Sequence, residues 1–222
     1  MFKQTVFLTL MCLFSVICTS QENKFDDQGR RNGPWKVNFE GTDKPKFEGT
    51  FQHGKETGIF KFYKKGFYDH PTAIMDFNKE NDSVHVTYFT QQGKSISEGM
   101  MLDKKREGEW LYYHQKSDSI MMTEMYKNDK LNGLQETFYK NGELAEKTHY
   151  VNGLKDGASC IYAGNGQVTK ELNYKNGELS GKAVYYNADG TKIREGFYTN
   201  GKKSGHWKFF SEGKLESEED YE

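Results

Sequence analysis

The chain has 222 residues, 28% charged and 35% hydrophobic, with a formal net charge of −1. Both signs are interspersed, which leaves no electrostatic footprint for nucleic acid. Basic runs no longer than Lys104-Lys105-Arg106 argue against an acidic-lipid binder. Aromatics reach 15% while mean hydropathy is only −0.91, so the apolar surface consists mostly of ring faces rather than a thick aliphatic core.

The first element is a leader. Lys3 is followed by an apolar stretch from Thr5 to Ile17, too short for a comfortable membrane span. It reads as a secretory signal peptide over 1–20, with no integral span in the chain after its removal. Two processing routes stay open. Cys18 and Ser20 are small residues at alternate positions, which suits cleavage before Gln21; alternatively Cys18 is the lipidated N-terminus of a lipoprotein. An apolar first strand of the domain is a third reading. Loss of residues 1–20 removes Lys3 alone and moves the net charge from −1 to −2. Residues 21–32 read as a short linker.

From residue 33 onward glycine marks a period. It stands at Gly33, Gly58, Gly108, Gly133, Gly157, Gly181 and Gly205, at gaps of 25, 50, 25, 24, 24 and 24 residues. The double gap holds Asp82 near its midpoint, so eight units are expected over 33–222. A fixed period of this length signals a repeat architecture. Each marker opens a strand-like phrase, such as Gly108-Glu-Trp110-Leu-Tyr112-Tyr113 and Gly205-His-Trp207-Lys-Phe209-Phe210. A second aromatic follows 17 to 19 residues after most markers, as at Phe51, Tyr126 and Tyr198.

Two turn signals punctuate each period. One set includes Asn141-Gly142, Asn165-Gly166 and Asp189-Gly190; the other includes Asn152-Gly153, Asn176-Gly177 and Asn200-Gly201. Asn-Gly and Asp-Gly supply the positive φ angles of type I′ hairpin turns. The segments between are rich in Tyr, Phe, Thr, Val and Ile, which is strand composition. The expectation is an all-β, elongated antiparallel sheet of stacked hairpins with 15 or 16 strands, about 70 Å long, curled or twisted. Pro71 predicts a longer loop where a hairpin turn should be.

No constellation for chemistry emerges. The six histidines lack metal-ligand spacing, and His85, His149 and His206 fall at different points of the repeat. Cys160 reads as a packed thiol. Glu98, Glu124, Glu171 and Glu195 read as a repeated solvent-facing position. No catalytic residue, metal ligand or cofactor site is expected. Strand alternation puts Trp35, Trp110, Tyr112, Trp207 and Phe209 on one face, with Tyr63, Tyr113, Tyr162, Tyr186 and Phe210 on the other. The first five are the candidate binding-face aromatics, if theirs is the exposed set.

Tyr150-Val-Asn152-Gly153-Leu-Lys-Asp-Gly157, Tyr174-Lys-Asn176-Gly177-Glu-Leu-Ser-Gly181 and Tyr198-Thr-Asn200-Gly201-Lys-Lys-Ser-Gly205 share the phrase Tyr-x-Asn-Gly-x-x-x-Gly. They resemble MORN repeats, specifically the bacterial variant. The resemblance covers roughly 33–222 and is best from 108 onward. It implies hairpin units stacked into a long sheet, a scaffold or membrane-associated module, and an antitoxin-component label with no catalytic residues. The functional expectation is an exported, non-enzymatic scaffold in the cell envelope or outside the cell that binds a protein partner. A glycan- or peptidoglycan-binding module and an antitoxin-like inhibitor are the alternatives. Free sheet edges leave the oligomeric state open.

Overall fold

The computed structural model describes residues 22–78 and 80–222. The leader, with Cys18, lies outside the described residues. The order is β1 Lys24–Phe25, β2 Arg31–Asn38, β3 Pro45–Gln52, β4 Lys55–Phe62, β5 Ala73–Phe77, β6 Ser83–Phe89, β7 Ser95–Leu102, β8 Lys105–Tyr113 and β9 Ile120–Lys127. It continues with β10 Lys130–Phe138, β11 Leu144–Val151, β12 Leu154–Tyr162, β13 Val168–Lys175, β14 Glu178–Leu179, β15 Gly181–Tyr186, β16 Lys192–Thr199, β17 Lys202–Ser211 and β18 Lys214–Tyr221. These 18 strands form one open antiparallel sheet, each pairing with its sequence neighbours. Two of them, β1 and β14, are only two residues long, which leaves the sixteen full strands the repeat predicts.

The two turn sets differ. At Asn152-Gly153, Asn176-Gly177 and Asn200-Gly201 both central residues have positive φ, as a type I′ turn requires. At Asn141-Gly142 and Asn165-Gly166 only the glycine does. There Tyr139 N–H donates to Glu143 O and Gly142 N–H to Tyr139 O, a type I turn closed by a left-handed glycine. The I′ geometry expected for both sets therefore holds for one. The loop predicted at Pro71 is present, spanning 63–72 between β4 and β5.

The period glycines Gly33, Gly58, Gly108, Gly133, Gly157 and Gly205 sit inside strands, and Gly181 opens β15. Gly108 and Glu109 of β8 lie opposite the single step from Gly99 to Met100 of β7. The same shift encloses Gly58, Gly133, Gly157 and Gly205. Each is a β-bulge with its glycine at positive φ, and bulges add local twist and bend. Their repetition along one chain gives the curl a physical cause. In the unit assigned to Asp82 the register puts Val84 in the glycine's place: Val84 pairs with Met101 as Gly108 pairs with Tyr126. The β5–β6 pair has no bulge.

The core lies on one face of the sheet. A single row of side chains crosses it in register. Its first part runs Trp35, Gly49, Phe60, Met75, Val86, Gly99 and Trp110. It continues through Glu124, Gln135, Thr148, Ser159, Leu172, Ala183, Gly196, Trp207 and Glu219. Three of its glycines each lie beside a large aromatic. A Cβ on Gly49 would stand 2.4 Å from the Phe60 ring, one on Gly99 2.5 Å from Trp110, and one on Gly196 2.2 Å from Trp207. These glycines, separate from the period markers, exist because an aromatic ring lies flat on their backbone. The bulge completes the arrangement. Trp110 Nε1 donates to Met100 O and Trp207 Nε1 to Phe197 O, each at 3.0 Å, and each carbonyl lies at a bulge step. Rings then stack along the face, with Trp207 edge-on to Tyr198 at 5.2 Å and Phe60 edge-on to Phe51 at 5.1 Å.

Residues 22–30, expected as linker, cap the first indole. Phe25 packs edge-on against Trp35 at 5.1 Å, and Trp35 Nε1 donates to Lys24 O at 3.0 Å. Asp26 holds this segment through His53 Nδ1 at 2.9 Å and Arg30 Nε at 2.8 Å. The His53 bond, followed by the Arg30 N–H, keeps its carboxyl well below the usual carboxylate range.

Candidate functional site

The packed face changes character along its length. Toward both ends it is apolar or aromatic, up to the exposed Glu219 on the last strand. In the middle the same row reads Glu124, Gln135, Thr148 and Ser159. Glu124, expected to face solvent, is buried, because its register is that of Gly99 and Gly196. It accepts from Tyr126 Oη at 2.5 Å and from Gln135 Nε2 at 2.6 Å. Arg106 lies 3.8 Å over the Tyr126 ring and donates to its hydroxyl at 2.5 Å. Burial, then the bond to Glu124, pushes the Tyr126 hydroxyl well above the ordinary phenol. Next to this network the fully buried Thr148 and Ser159 hydroxyls meet at 2.7 Å.

Cations recur two residues before the markers, in register with the second aromatics. Arg31 lies 4.7 Å over Trp35, Lys155 lies 5.2 Å over Tyr174, and Lys203 lies 4.7 Å over Trp207. Their alkyl stems extend the apolar cover while their charges face outward. The candidate aromatics Trp35, Trp110 and Trp207 are therefore core, with Trp207 fully buried. Tyr112 and Phe209 beside them are half-buried and remain reachable.

The opposite face is a charge ladder. Lys36, Glu48 and Lys61 neighbour one another in register, as do Glu136 with Lys147 and Glu195 with Lys208. Glu98, Glu171 and Glu195 lie here, as predicted. The Tyr63 and Tyr186 hydroxyls donate to Glu48 at 2.9 Å and Glu171 at 3.2 Å, and Tyr113 donates to Glu98. Desolvation and these carboxylates push Tyr63 and Tyr113 each up to about 12. The second aromatic set is thus tied to acids rather than forming an open stripe.

One stretch of this face breaks the charge pattern. Met100 and Leu102 on β7, Met125 on β9, and Val151 and Leu154 on β11 and β12 are exposed. Met125 lies over Gly133, where an added Cβ would come within 2.9 Å of it, and Leu134 continues the strip on β10. Leu154 is 50% exposed and Val151 41%.

His85, His149 and His206 share the adjoining register of this face but stand several strands apart. Among the described residues no three His, Cys, Asp or Glu side chains gather to hold a metal ion. No described helix is long and apolar enough to cross a membrane. Cys160 is half-buried on the charged face between Lys147 and Glu171, and burial raises its thiol.

A family model described as MORN repeat variant matches residues 131–152 and 155–176, two consecutive units spanning β10 to β13. This is a MORN-repeat protein. The two matched MORN units run from one period glycine's hairpin to the next, and the same bulge and turn pattern extends over the units on either side. The MORN family is generally non-enzymatic, and its architecture is that of a repeat-type binding scaffold. No curated protein matches. Among solved structures, a TarM mutant of S. aureus in complex with fondaparinux, alpha-GlcNAc-glycerol and UDP is similar at 15% identity and a TM-score of 0.33. That alignment covers 49% of this MORN chain and 21% of the other, a level of likeness that bears neither on fold nor on activity.

Proposed function

We propose that this is an exported scaffold of the cell envelope or exterior that binds a protein partner through the charged face of its sheet. The observation that carries the reading is the group of exposed apolar side chains Met100, Leu102, Met125, Val151 and Leu154 on a mostly charged face, where Ile59 and Phe197 are exposed singly elsewhere. Glu107 and Glu109 of β8 stand between Met100 and Met125, so apolar groups and charge are interleaved here, as they are at protein contacts. Neighbouring ion pairs such as Lys147–Glu136 at 3.5 Å and His85–Glu98 at 3.8 Å belong to that charge. Export rests on Lys3 and the apolar stretch from Thr5 to Ile17.

The test is quantitative crosslinking and pull-down from envelope fractions, comparing wild type with Met125→Glu/Leu154→Glu. Both positions are exposed, so folding should be unchanged. Loss of one specific partner from the variant supports the reading; identical partner profiles overturn it. Intact mass of membrane-extracted protein separates cleavage before Gln21 from acylation at Cys18.

A glycan reading has its own support. On the packed face cations lie on aromatic rings, Arg194 on the buried Tyr185 and Lys203 on the half-buried Phe209, which is a surface suited to sugar rings bearing charge.

A further inference from the structure

Four side chains in register across β13, β15, β16 and β17 alternate in chemistry: Lys170, Tyr185, Arg194 and Phe209. The Arg194 guanidinium lies 4.1 Å over the Tyr185 ring. Among the described residues neither Lys170 nor Arg194 stands within ion-pair distance of an acid, unlike their packed-face neighbour Lys155, which meets Glu146 at 3.4 Å. The four line an open cavity of about 530 Å³, which Glu216 also lines. The corresponding second-strand positions in earlier units are Phe47, Ala73, Ser97, Met122 and Glu146, so the cation pair is particular to this end of the sheet.

We propose that this cavity is a binding site for an acidic oligosaccharide. Lys170 and Arg194 are two strand spacings apart, about 9–10 Å. Beside them the half-buried Phe209 offers apolar ring surface, while the buried Tyr185 ring supports the Arg194 guanidinium lying on it. The site thus presents anion recognition and ring contact in alternation, along a line perpendicular to the strands. That direction favours a sugar over a peptide. An extended peptide gains affinity by adding to a strand edge, where its amides pair with backbone. Laid across a face of side chains, its amides lose that pairing, and an unmet amide is costly. A sugar carries no such backbone. Its C–H face packs on Phe209, and its carboxylates meet the two cations through charge-assisted bonds.

Calorimetry on the mature chain tests this with three probes: tetragalacturonate, neutral cellotetraose and hexaglutamate. The proposal expects tetragalacturonate to bind, more weakly as salt rises, and the other two to bind at least about tenfold more weakly. Lys170→Gln/Arg194→Gln should cost at least about tenfold in affinity for tetragalacturonate. Arg194→Lys should retain most of it, and Lys36→Gln on the opposite face should retain all. Unchanged urea midpoints for these variants exclude misfolding as the cause. Absence of tetragalacturonate binding, equal binding of the neutral sugar, equal binding of hexaglutamate or an unaffected double variant would each overturn the proposal. The protein-binding reading rests on the other face and survives any of these failures.

Discussion

Gly196→Ala tests the packing of the sheet at its tightest point. Gly196 does not have positive φ, so alanine brings no backbone strain. Its new methyl would stand 2.2 Å from Cδ2 of Trp207, a ring with no solvent exposure. Ordinary carbon contacts are about 3.5–4.0 Å, so the indole must retreat by more than about 1 Å. Overpacking of this kind costs about 1–3 kcal/mol. The retreat also weakens the Nε1 bond to Phe197 O, worth a further ~0.5–1.5 kcal/mol. The expected loss is about 2–4 kcal/mol. Trp207→Ala alone should cost about 3–5 kcal/mol. In the Trp207→Ala background the sign reverses, because alanine is favoured over glycine in a strand interior by about 0.5–1 kcal/mol. Urea unfolding followed by far-UV circular dichroism reads all four corners of the cycle. Hydrogen exchange at β16 and β17 covers the case in which units at this end open separately. A Gly196→Ala change within about 0.5 kcal/mol of wild type would refute the close-approach argument.

Thr148→Val should destabilise by about 1–3 kcal/mol, since it strands the buried Ser159 hydroxyl, while Ser159→Ala should cost less because Thr148 Oγ1 still donates to Glu146 at 2.9 Å; equal losses in denaturant titration would contradict this. Glu124→Ala should cost a similar ~1–3 kcal/mol by leaving Gln135 and Tyr126 without their acceptor, whereas Glu98→Ala on the exposed ladder should cost well under ~1 kcal/mol; equal effects in urea unfolding would sink the assignment of Glu124 to the packed face. His206 should titrate above an ordinary imidazole, because Asp220 and then Glu218 accept its ring N–H groups. The sign follows: its hold on β18 is fully present below the ordinary histidine pKa and lost as pH rises through the raised one. In NMR titration Asp220→Asn should lower the midpoint, and an unmoved midpoint would dismiss the pair.

The repeat was legible because its signals are local. Asn152-Gly153 announces its own turn, and Gly157 its own interruption of the strand. What was not legible depends on register between strands. Gly99 and Trp110 stand 11 positions apart and meet only because the bulge at Gly108 shifts the pairing. Glu98 and Glu124 occupy equal distances from Asp82 and Gly108, yet face opposite ways. The reason is that the packed position comes 15 residues after the phase mark Val84, at Gly99, but 16 after Gly108, at Glu124, and a one-residue change in spacing turns a side chain to the other face. The candidate indoles were placed on the right face but could not be told from exposed rings, because much of their cover comes from neighbouring strands: Phe25 and Phe51 on Trp35, Tyr198 on Trp207. The strip through Met125 and Leu154 was likewise invisible until register brought five strands' residues together.

The most direct measurement is photocrosslinking in intact cells, with a benzophenone side chain placed in turn at Met125, Leu154, Lys36 and Tyr112. The account predicts one shared protein adduct from the Met125 and Leu154 positions that is absent from Lys36 and Tyr112. The same adduct from all four positions, or none from Met125 and Leu154, would contradict it.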